Sequence, residues 1–180
     1  GLNITIPYKK KIINCLDSID KKATKIKAVN TLFNKNGHIK GFNTDIEGFG
    51  RGLEKKNWIK NKPTFIYGAG GAAEAVVSYI YSAGNKNITI VNRTIDNAKN
   101  IAKKYKGVKV AYKVRRKEFI EAGLVINTTS LGMVGYPPLS LDLKGLNNEA
   151  IIYDIIYNPL ETELINQAKK HKLNYITGLD

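Results

Sequence analysis

The fold of this chain is decided by the stretch Phe65-Ile66-Tyr67-Gly68-Ala69-Gly70-Gly71-Ala72-Ala73, in which a glycine-rich turn joins an apolar strand to an apolar helix. Its spacing is G-x-G-x-x-A, in the context that a dinucleotide-binding turn requires. Gly68 permits the tight turn, Gly70 lets a pyrophosphate approach the backbone, and Ala73 allows the helix to pack closely on the strand. Free amides and the positive dipole end of the helix favour phosphates. A merely structural turn does not explain three glycines in four positions.

Strand-like and helix-like segments alternate from this turn to the end of the chain. We predict strands over 64–67, 88–91, 108–111, 124–127, 151–155 and 175–176, and helices over 72–82, 95–105, 116–122 and 161–171. Such alternation implies right-handed crossovers and a parallel sheet covered on both faces. The fold class is therefore α/β, with a Rossmann-like doubly wound parallel sheet.

The first 45 residues follow a different pattern. Ile4 and Ile6 share one face of a short strand that stops at Pro7, and helices are predicted over 10–16 and 20–28. An Asn-Gly loop over 34–37 between two strand-like runs predicts a hairpin. We predict a partial, smaller α/β domain over residues 1–45, a connecting helix over 46–58, a dinucleotide domain over 59–176 and a stub of a return segment over 177–180.

The end of the second strand of the alternating region distinguishes NADP from NAD. NAD-binding folds usually place an acid there, which holds the ribose 2′-hydroxyl. This strand ends instead in Asn92-Arg93-Thr94. The Arg93 guanidinium can lie against a 2′-phosphate, and Asn92 and Thr94 can hydrogen-bond to the same phosphate. We therefore predict NADP as the cofactor, with NAD as the alternative.

Composition excludes several classes of protein. Cys15 is the only cysteine, so no internal disulfide can form, and a lone thiol predicts no metal site. The absence of a disulfide favours a reducing, cytoplasmic setting. No apolar run approaches the roughly 20 residues that cross a bilayer. The formal net charge is +14, but the excess is scattered lysine, typical of solvated helix faces, and no nucleic-acid-reading module accompanies it. The charge favours anionic ligands such as a dinucleotide.

Seven motifs resemble those of one family, in the same order. They are Asn3-Ile4-Thr5-Ile6-Pro7-Tyr8-Lys9, Ala28-Val29-Asn30-Thr31, Asn43-Thr44-Asp45, the turn at 68–72, Asn92-Arg93-Thr94, Asn127-Thr128-Thr129-Ser130-Leu131-Gly132-Met133, and Tyr153-Asp154 with Tyr157-Asn158-Pro159. Along essentially its whole length the chain resembles the shikimate dehydrogenases of the shikimate/quinate dehydrogenase family. The resemblance implies NADP-dependent, reversible reduction of 3-dehydroshikimate to shikimate, a step toward chorismate and the aromatic amino acids.

The resemblance also implies roles for individual residues. Lys9 and Asp45 match the catalytic pair, and both also match substrate contacts. The other implied substrate contacts are Thr5, Asn30 and Tyr157. The implied cofactor contacts are Gly68, Ala69, Gly70, Gly71, Ala72, Asn92, Arg93, Thr94, Asn97, Ile155 and Gly178, with Ile155 and Gly178 at the nicotinamide end.

The chemistry of hydride transfer also needs an acid/base group. When a hydride leaves a carbinol carbon, a proton must leave its oxygen. A lysine can take that proton, and a carboxylate beside it orients the lysine and accepts a substrate hydroxyl. Which member of the pair carries the proton is a coupled property that the sequence leaves open. Read singly, Lys9 is typical of a solvated lysine run, Asp45 of a helix N-terminus and Asn30 of a hairpin contact.

The ends of the chain look cut, since it opens without methionine on one strand-like stretch and closes after another. Compared with the family, the upstream serine loop and the downstream glutamine-bearing helix are absent. We expect measurable NADP affinity and poor shikimate turnover from residues 1–180 alone.

Many relatives carry a second basic residue shortly after Arg93, where this chain has Asp96 and Asn97, so weak discrimination of NADP from NAD is expected. The alternatives are an NAD-dependent quinate/shikimate dehydrogenase and a noncatalytic dinucleotide-binding module. The oligomeric state is not predicted.

Overall fold

The computed structural model of the protein describes residues 1–5 and 8–179, and the chain forms two compact units, Gly1–Arg51 and Gly52–Asp180. The first unit contains, in chain order, β1 (Leu2–Asn3), a 3-10 helix (Lys11–Cys15), β2 (Ser18–Ile19), α1 (Lys21–Ile26), β3 (Thr31–Lys35), β4 (His38–Phe42) and the start of α2 (Asp45–Lys55). The connecting helix was predicted to reach residue 58. It ends at Lys55 because Asn57 adopts a left-handed backbone, with φ 52°.

The sheet of the first unit has the strand order β1-β3-β4-β2. Strand β3 is antiparallel to β1 and β4, which confirms the predicted hairpin, and β2 is parallel to β4. The hairpin turn places Asn36 and Gly37 at φ 54° and 88°, values that these residue types tolerate. Strand β2 was not predicted, because two residues are too short to show an alternating pattern.

Two predictions for the start of the chain need correction. Strand β1 covers Leu2–Asn3, with Ile4 after its end, and the predicted stop at Ile6 and Pro7 lies outside the described residues. The helix predicted over 10–16 is a 3-10 helix. Its N-cap residue Lys10 makes no side-chain capping bond, and the β-branched and Asn residues of the segment favour an α-helix weakly.

The second unit contains the predicted parallel sheet. Its elements after α2 are β5 (Thr64–Tyr67), α3 (Gly71–Ser82), β6 (Ile88–Val91), α4 (Ile95–Ala102), β7 (Lys109–Ala111), α5 (Arg116–Phe119), β8 (Leu124–Asn127), β9 (Ile151–Asp154), α6 (Glu163–Lys170) and β10 (Asn174–Ile176). The six strands follow the order β10-β9-β8-β5-β6-β7, and every pairing is parallel. The order reverses between β5 and β8, where ligands of doubly wound sheets bind beyond the carboxyl ends of the strands.

Both faces of this sheet are buried. Neighbouring residues of a strand point to opposite faces, yet Phe65 and Ile66 are both almost inaccessible to solvent. On one face Phe65 packs in a cluster with Phe119 of α5 and Leu164 of α6. Continuous apolar strands such as Leu124–Asn127 are expected where helices cover both sides. No helix of the described chain is long and apolar enough to span a membrane.

Candidate active site

Lys9 and Asp45 form an ion pair in the first unit, with 2.8 Å between Lys9 Nζ and Asp45 Oδ2. Asp45 is the first residue of α2, and Lys9 lies in the turn that precedes the 3-10 helix. The Lys9 carbonyl accepts a hydrogen bond from the Val29 amide at 2.8 Å, which ties this turn to the segment before β3. The two side chains are 30% and 47% exposed, so the pair is anchored by the fold and remains accessible to a ligand.

Asn30 holds the carboxylate of this pair from its other oxygen. Asn30 Nδ2 donates to Asp45 Oδ1 at 2.6 Å and to Thr44 Oγ1 at 3.1 Å. Asn30 Oδ1 accepts from the Thr44 amide at 2.9 Å. Asn43 Oδ1 accepts from the Asp45 amide at 3.1 Å. The orientation of Asp45 is therefore fixed by the Asn30 side chain, by the Asn43 side chain at the start of α2 and by the Lys9 ammonium.

The pair retains hydrogen-bonding capacity for an oxygen-rich ligand. A lysine ammonium has three N–H donors, and Lys9 directs one of them to Asp45. The carboxylate keeps lone pairs for a hydroxyl donor. Thr5 has an exposed side chain, and its carbonyl accepts from the Tyr8 amide at 2.9 Å. Within the described residues, no cluster of His, Cys, Asp and Glu is arranged to hold a metal ion.

The glycine-rich turn connects β5 to α3 in the second unit. Gly68 has φ +111°, and a Cβ at this position would lie 2.5 Å from Thr128 Oγ1, so two independent features require glycine. Helix α3 begins at Gly71 without a side-chain capping bond, which leaves its first amides for another acceptor. A Cβ built on Gly70 or Gly71 meets no atom within 4 Å, so the space beside these amides is open. The turn fits a pyrophosphate.

The turn between β6 and α4 fits the 2′-phosphate of NADP. Asn92 Nδ2 donates to the Thr94 carbonyl at 2.7 Å and closes the turn. Thr94 is the N-cap of α4, but its side chain makes no capping bond. Arg93 is exposed, and among the described residues it has no hydrogen-bond or ion-pair partner. Asn97 is exposed on α4. A free guanidinium beside a free hydroxyl suits a phosphate.

Ile155, Tyr157 and Gly178 follow the carboxyl ends of β9 and β10. The Gly178 amide donates to the Ile156 carbonyl at 3.2 Å, and a Cβ on Gly178 would lie 2.5 Å from the Ile155 carbonyl oxygen. Glycine therefore permits this close approach of two backbone segments. The Tyr157 side chain is 64% exposed and is free to contact a ligand.

Sequence reasoning assigned no role to three buried polar residues, Asn127, Asp154 and Thr162, which form a hydrogen-bonded cluster at the ends of β8 and β9. Burial raises the pKa of the Asp154 carboxyl, and its hydrogen-bond donors oppose that shift. Burial also raises the pKa of Tyr67, at the end of β5, to about 12. The sequence carried one signal for this cluster, because Asp154 is a single acid at the end of an otherwise apolar strand. A buried acid needs hydrogen-bond donors around it.

A second unassigned charge lies close to the glycine-rich turn in sequence. The Glu74 side chain, on the first turns of α3, is 8% exposed and pairs with Lys104 Nζ at 2.5 Å. A buried carboxylate near the helix N-terminus adds negative charge where a phosphate is expected. The Lys104 ammonium offsets that charge.

The parallel sheet, its strand order and the glycine-rich turn define an α/β protein of the dinucleotide-binding class. The family model for the shikimate dehydrogenase substrate binding domain matches residues 1–32. The model for shikimate / quinate 5-dehydrogenase matches residues 52–131.

Named relatives agree with these matches. The shikimate dehydrogenase (NADP(+)) of Alkaliphilus oremlandii is 39% identical over 192 residues, which cover 99% of this chain and 67% of the relative. That of Caldanaerobacter subterraneus subsp. tengcongensis is 37% identical over 191 residues, which cover 99% of this chain and 66% of the relative. This chain belongs to the shikimate dehydrogenase family. It spans about two thirds of the length of these curated relatives.

Solved structures have the same fold. Shikimate 5-dehydrogenase from Thermus thermophilus, in complex with NADP(H) and shikimate, superposes with a TM-score of 0.85 at 32% identity, covering 98% of this chain and 66% of that one. Quinate dehydrogenase from Corynebacterium glutamicum, in complex with NAD, superposes with a TM-score of 0.87 at 29% identity, covering 99% of this chain and 66% of that one.

Proposed function

We propose that this protein catalyses the NADP-dependent, reversible reduction of 3-dehydroshikimate to shikimate. The observation that carries the proposal is the 2.8 Å ion pair of Lys9 and Asp45, held by Asn30, in a chain of this family. The Thermus thermophilus relative is described in complex with both ligands that the proposal requires, NADP(H) and shikimate.

The Lys9–Asp45 pair supplies the proton transfer of this reaction. When bound, the nicotinamide of NADP supplies or accepts the hydride at the carbon that bears the oxygen. In the reduction, the electron pair of the C=O bond moves to oxygen, and this oxygen takes a proton from the Lys9 ammonium. In the oxidation, the neutral Lys9 amine takes the hydroxyl proton.

The polar neighbours of the pair orient the substrate. Asp45 uses Oδ1 for Asn30 and Oδ2 for Lys9, and its remaining lone pairs accept a hydroxyl next to the reacting carbon. The Thr5 hydroxyl and the Tyr157 phenol are the other proposed hydrogen-bonding groups for the substrate. The glycine-rich turn and Arg93 hold the pyrophosphate and the 2′-phosphate of NADP.

An NAD-dependent quinate dehydrogenase is the second candidate. One structural observation favours it. Asp96, in the first turn of α4, forms an exposed ion pair with Lys99 at 3.7 Å, close in sequence to Arg93. A carboxylate near the adenosine ribose suits a 2′-hydroxyl and repels a 2′-phosphate. The Corynebacterium glutamicum relative is described as a quinate dehydrogenase in complex with NAD.

A four-way assay separates the candidates. Shikimate and quinate are each tested with NADP and with NAD, and kcat/KM is measured. The 180-residue chain is compared with the same chain extended by the segments of the Alkaliphilus oremlandii relative that it does not match. The proposal expects the highest kcat/KM for shikimate with NADP. A maximum for quinate with NAD would favour the second candidate, and binding without turnover in the extended chain would favour a noncatalytic module.

The cofactor preference has its own test. Arg93→Gln should weaken NADP binding by about 10–100-fold, because a charge-assisted contact to the 2′-phosphate is lost. NAD binding should not change, because NAD has no phosphate at that position. An equal loss for both cofactors would contradict the assignment of Arg93.

A further inference from the structure

The Asp154 cluster, formed by Asn127, Asp154 and Thr162, lies at the carboxyl ends of β8 and β9 in the second unit. The Asp154 carboxylate is fully buried. Its Oδ2 accepts from Thr162 Oγ1 at 2.7 Å, and its Oδ1 accepts from the Ile156 amide and from Asn127 Nδ2, both at 3.1 Å. Asn127 and Asp154 are directly opposite each other in the β8–β9 pairing.

Asn127 extends the cluster to the loop that follows β8. Its Nδ2 also donates to the Leu131 carbonyl at 3.0 Å. Its Oδ1 accepts from the Thr129 amide at 3.0 Å and from Thr129 Oγ1 at 2.7 Å. Two side chains on adjacent strands therefore hold the loop after β8 and the loop after β9 together.

The segment held by Asp154 is the one that carries Tyr157. The Ile155 amide donates to the Asn127 carbonyl at 3.3 Å, and the Ile156 carbonyl accepts from Gly178 at 3.2 Å. Beyond Tyr157, the Asn158 carbonyl accepts from the Val134 amide at 3.4 Å. The backbone is thus hydrogen-bonded on both sides of Tyr157, whereas its ring is 64% exposed. A fixed backbone that presents a free ring is the arrangement that a ligand-contacting residue needs.

The residue type at position 154 is matched to this task. An ionised carboxylate is an acceptor only, with about four lone-pair sites, so it can satisfy donors from a strand, a loop amide and a helix cap together. An amide at position 154 would place a donor against the Thr162 hydroxyl. Burial raises the pKa of Asp154, whereas the hydrogen bonds from Thr162, the Ile156 amide and Asn127 lower it, so these donors favour the carboxylate form.

We infer that Asp154 is a positioning residue, which acts through Thr162 and the Ile156 amide to hold the backbone that presents the Tyr157 ring to a ligand. The inference rests on the proposed function, since it takes shikimate as the ligand of Tyr157. Asp154 itself does not touch the substrate or the cofactor.

The test compares four single variants of the 180-residue chain. Asp154→Asn replaces the acceptor that faces Thr162, and Thr162→Val removes the donor. Thr162→Ser keeps the hydroxyl and serves as the conservative rescue. Glu161→Gln is the charge-matched control, because it neutralises an exposed carboxylate one residue from Thr162. Shikimate and NADP dissociation constants are measured for the folded fraction, together with the Tyr157 ring signals and the Ile156 amide exchange by NMR.

Asp154→Asn and Thr162→Val should raise the shikimate dissociation constant about tenfold, if the Tyr157 ring then occupies its binding position only about a tenth of the time. They should also give Tyr157 several ring environments, while NADP affinity stays unchanged. Thr162→Ser and Glu161→Gln should resemble wild type. If Asp154→Asn and Thr162→Val lower stability but their folded fractions bind shikimate with wild-type affinity, the inference is overturned.

Failure of the proposed function gives a different result. In that case the wild-type chain binds no shikimate, and the Ile156 and Tyr157 signals decide the inference. A positioning role is supported if Asp154→Asn and Thr162→Val speed the hydrogen exchange of the Ile156 amide and give the Tyr157 ring several environments. Thr162→Ser should do neither. Unchanged Ile156 and Tyr157 signals in Asp154→Asn overturn that role.

Discussion

At the scale of single residues, Gly68 combines a positive φ of +111° with a site where a Cβ would lie 2.5 Å from Thr128 Oγ1. We expect Gly68→Ala to lower the free energy of unfolding by about 2–4 kcal/mol, because backbone strain and a steric clash add. Gly84→Ala is the matched control, since Gly84 has φ +103° but open space around its Cβ position. It should cost only about 1–2 kcal/mol of strain. Urea denaturation measures both, and equal losses would mean that the clash is relieved.

Asp154 gives the protein a specific dependence on pH. Its pKa in the folded state is raised above the ordinary value of 3.8 by burial, so the folded state binds its proton more tightly than the unfolded state. The stability contribution of this group is therefore largest at low pH and falls as pH rises through the raised pKa. Melting experiments from about pH 3 to about pH 7 should show wild type losing stability relative to Asp154→Asn as pH rises. The opposite slope would show that the hydrogen bonds outweigh desolvation.

Single residues were predictable where a motif fixes the local geometry. The positive φ of Gly68 and the position of Asp45 at the start of α2 agree with what the sequence indicated. The hydrogen bonds of Asn43 to the Ala28 carbonyl and of the Thr44 amide to Asn30 were not predicted, although Asn43 and Thr44 belong to a motif that was recognised. Their partners come from a segment more than ten residues away, and local spacing carries no information about such contacts.

At the scale of elements, strands were predicted more accurately than helix ends. Strands β5, β6 and β8 have the predicted bounds, because apolar runs between polar turns delimit buried parallel strands well. Helix α4 was predicted to reach Tyr105 but ends at Ala102. The Lys104 and Tyr105 amides donate to carbonyls three residues back, so the last turn tightens where the apolar pattern still continues.

The Glu74–Lys104 pair connects α3 to the segment after α4, and its partners differ in burial. The Glu74 side chain is 8% exposed and that of Lys104 is 41% exposed. Lys104→Met should lower the free energy of unfolding by about 1–3 kcal/mol, because it leaves a buried carboxylate unpaired. Lys169→Met, which breaks an exposed pair with Glu161, should have little effect on the free energy of unfolding. Urea denaturation compares the two, and similar losses would indicate that Glu74 is solvated.

At the scale of the whole molecule, the resemblance to the shikimate dehydrogenases is confirmed by relatives that match 99% of the chain. The α/β class and the parallel sheet are confirmed as well, because alternation of elements constrains topology strongly. The catalytic and binding roles stay predictions. Lys9, Asn30 and Asp45 lie far apart in sequence, so the fold, rather than any local pattern, brings them into one network.

The most direct test of the central claim compares two lysines that form ion pairs with residues of α2. Lys9 pairs with Asp45 at 2.8 Å, and Lys22 pairs with Glu47 at 2.7 Å. Both are changed to Met in the chain extended with the Alkaliphilus oremlandii segments, and kcat for shikimate oxidation with NADP is measured. Loss of acid/base catalysis predicts that Lys9→Met lowers kcat by about 10²–10⁴, while Lys22→Met keeps wild-type turnover. Turnover by Lys9→Met equal to that of Lys22→Met would contradict the assignment of Lys9 and Asp45 as the catalytic pair.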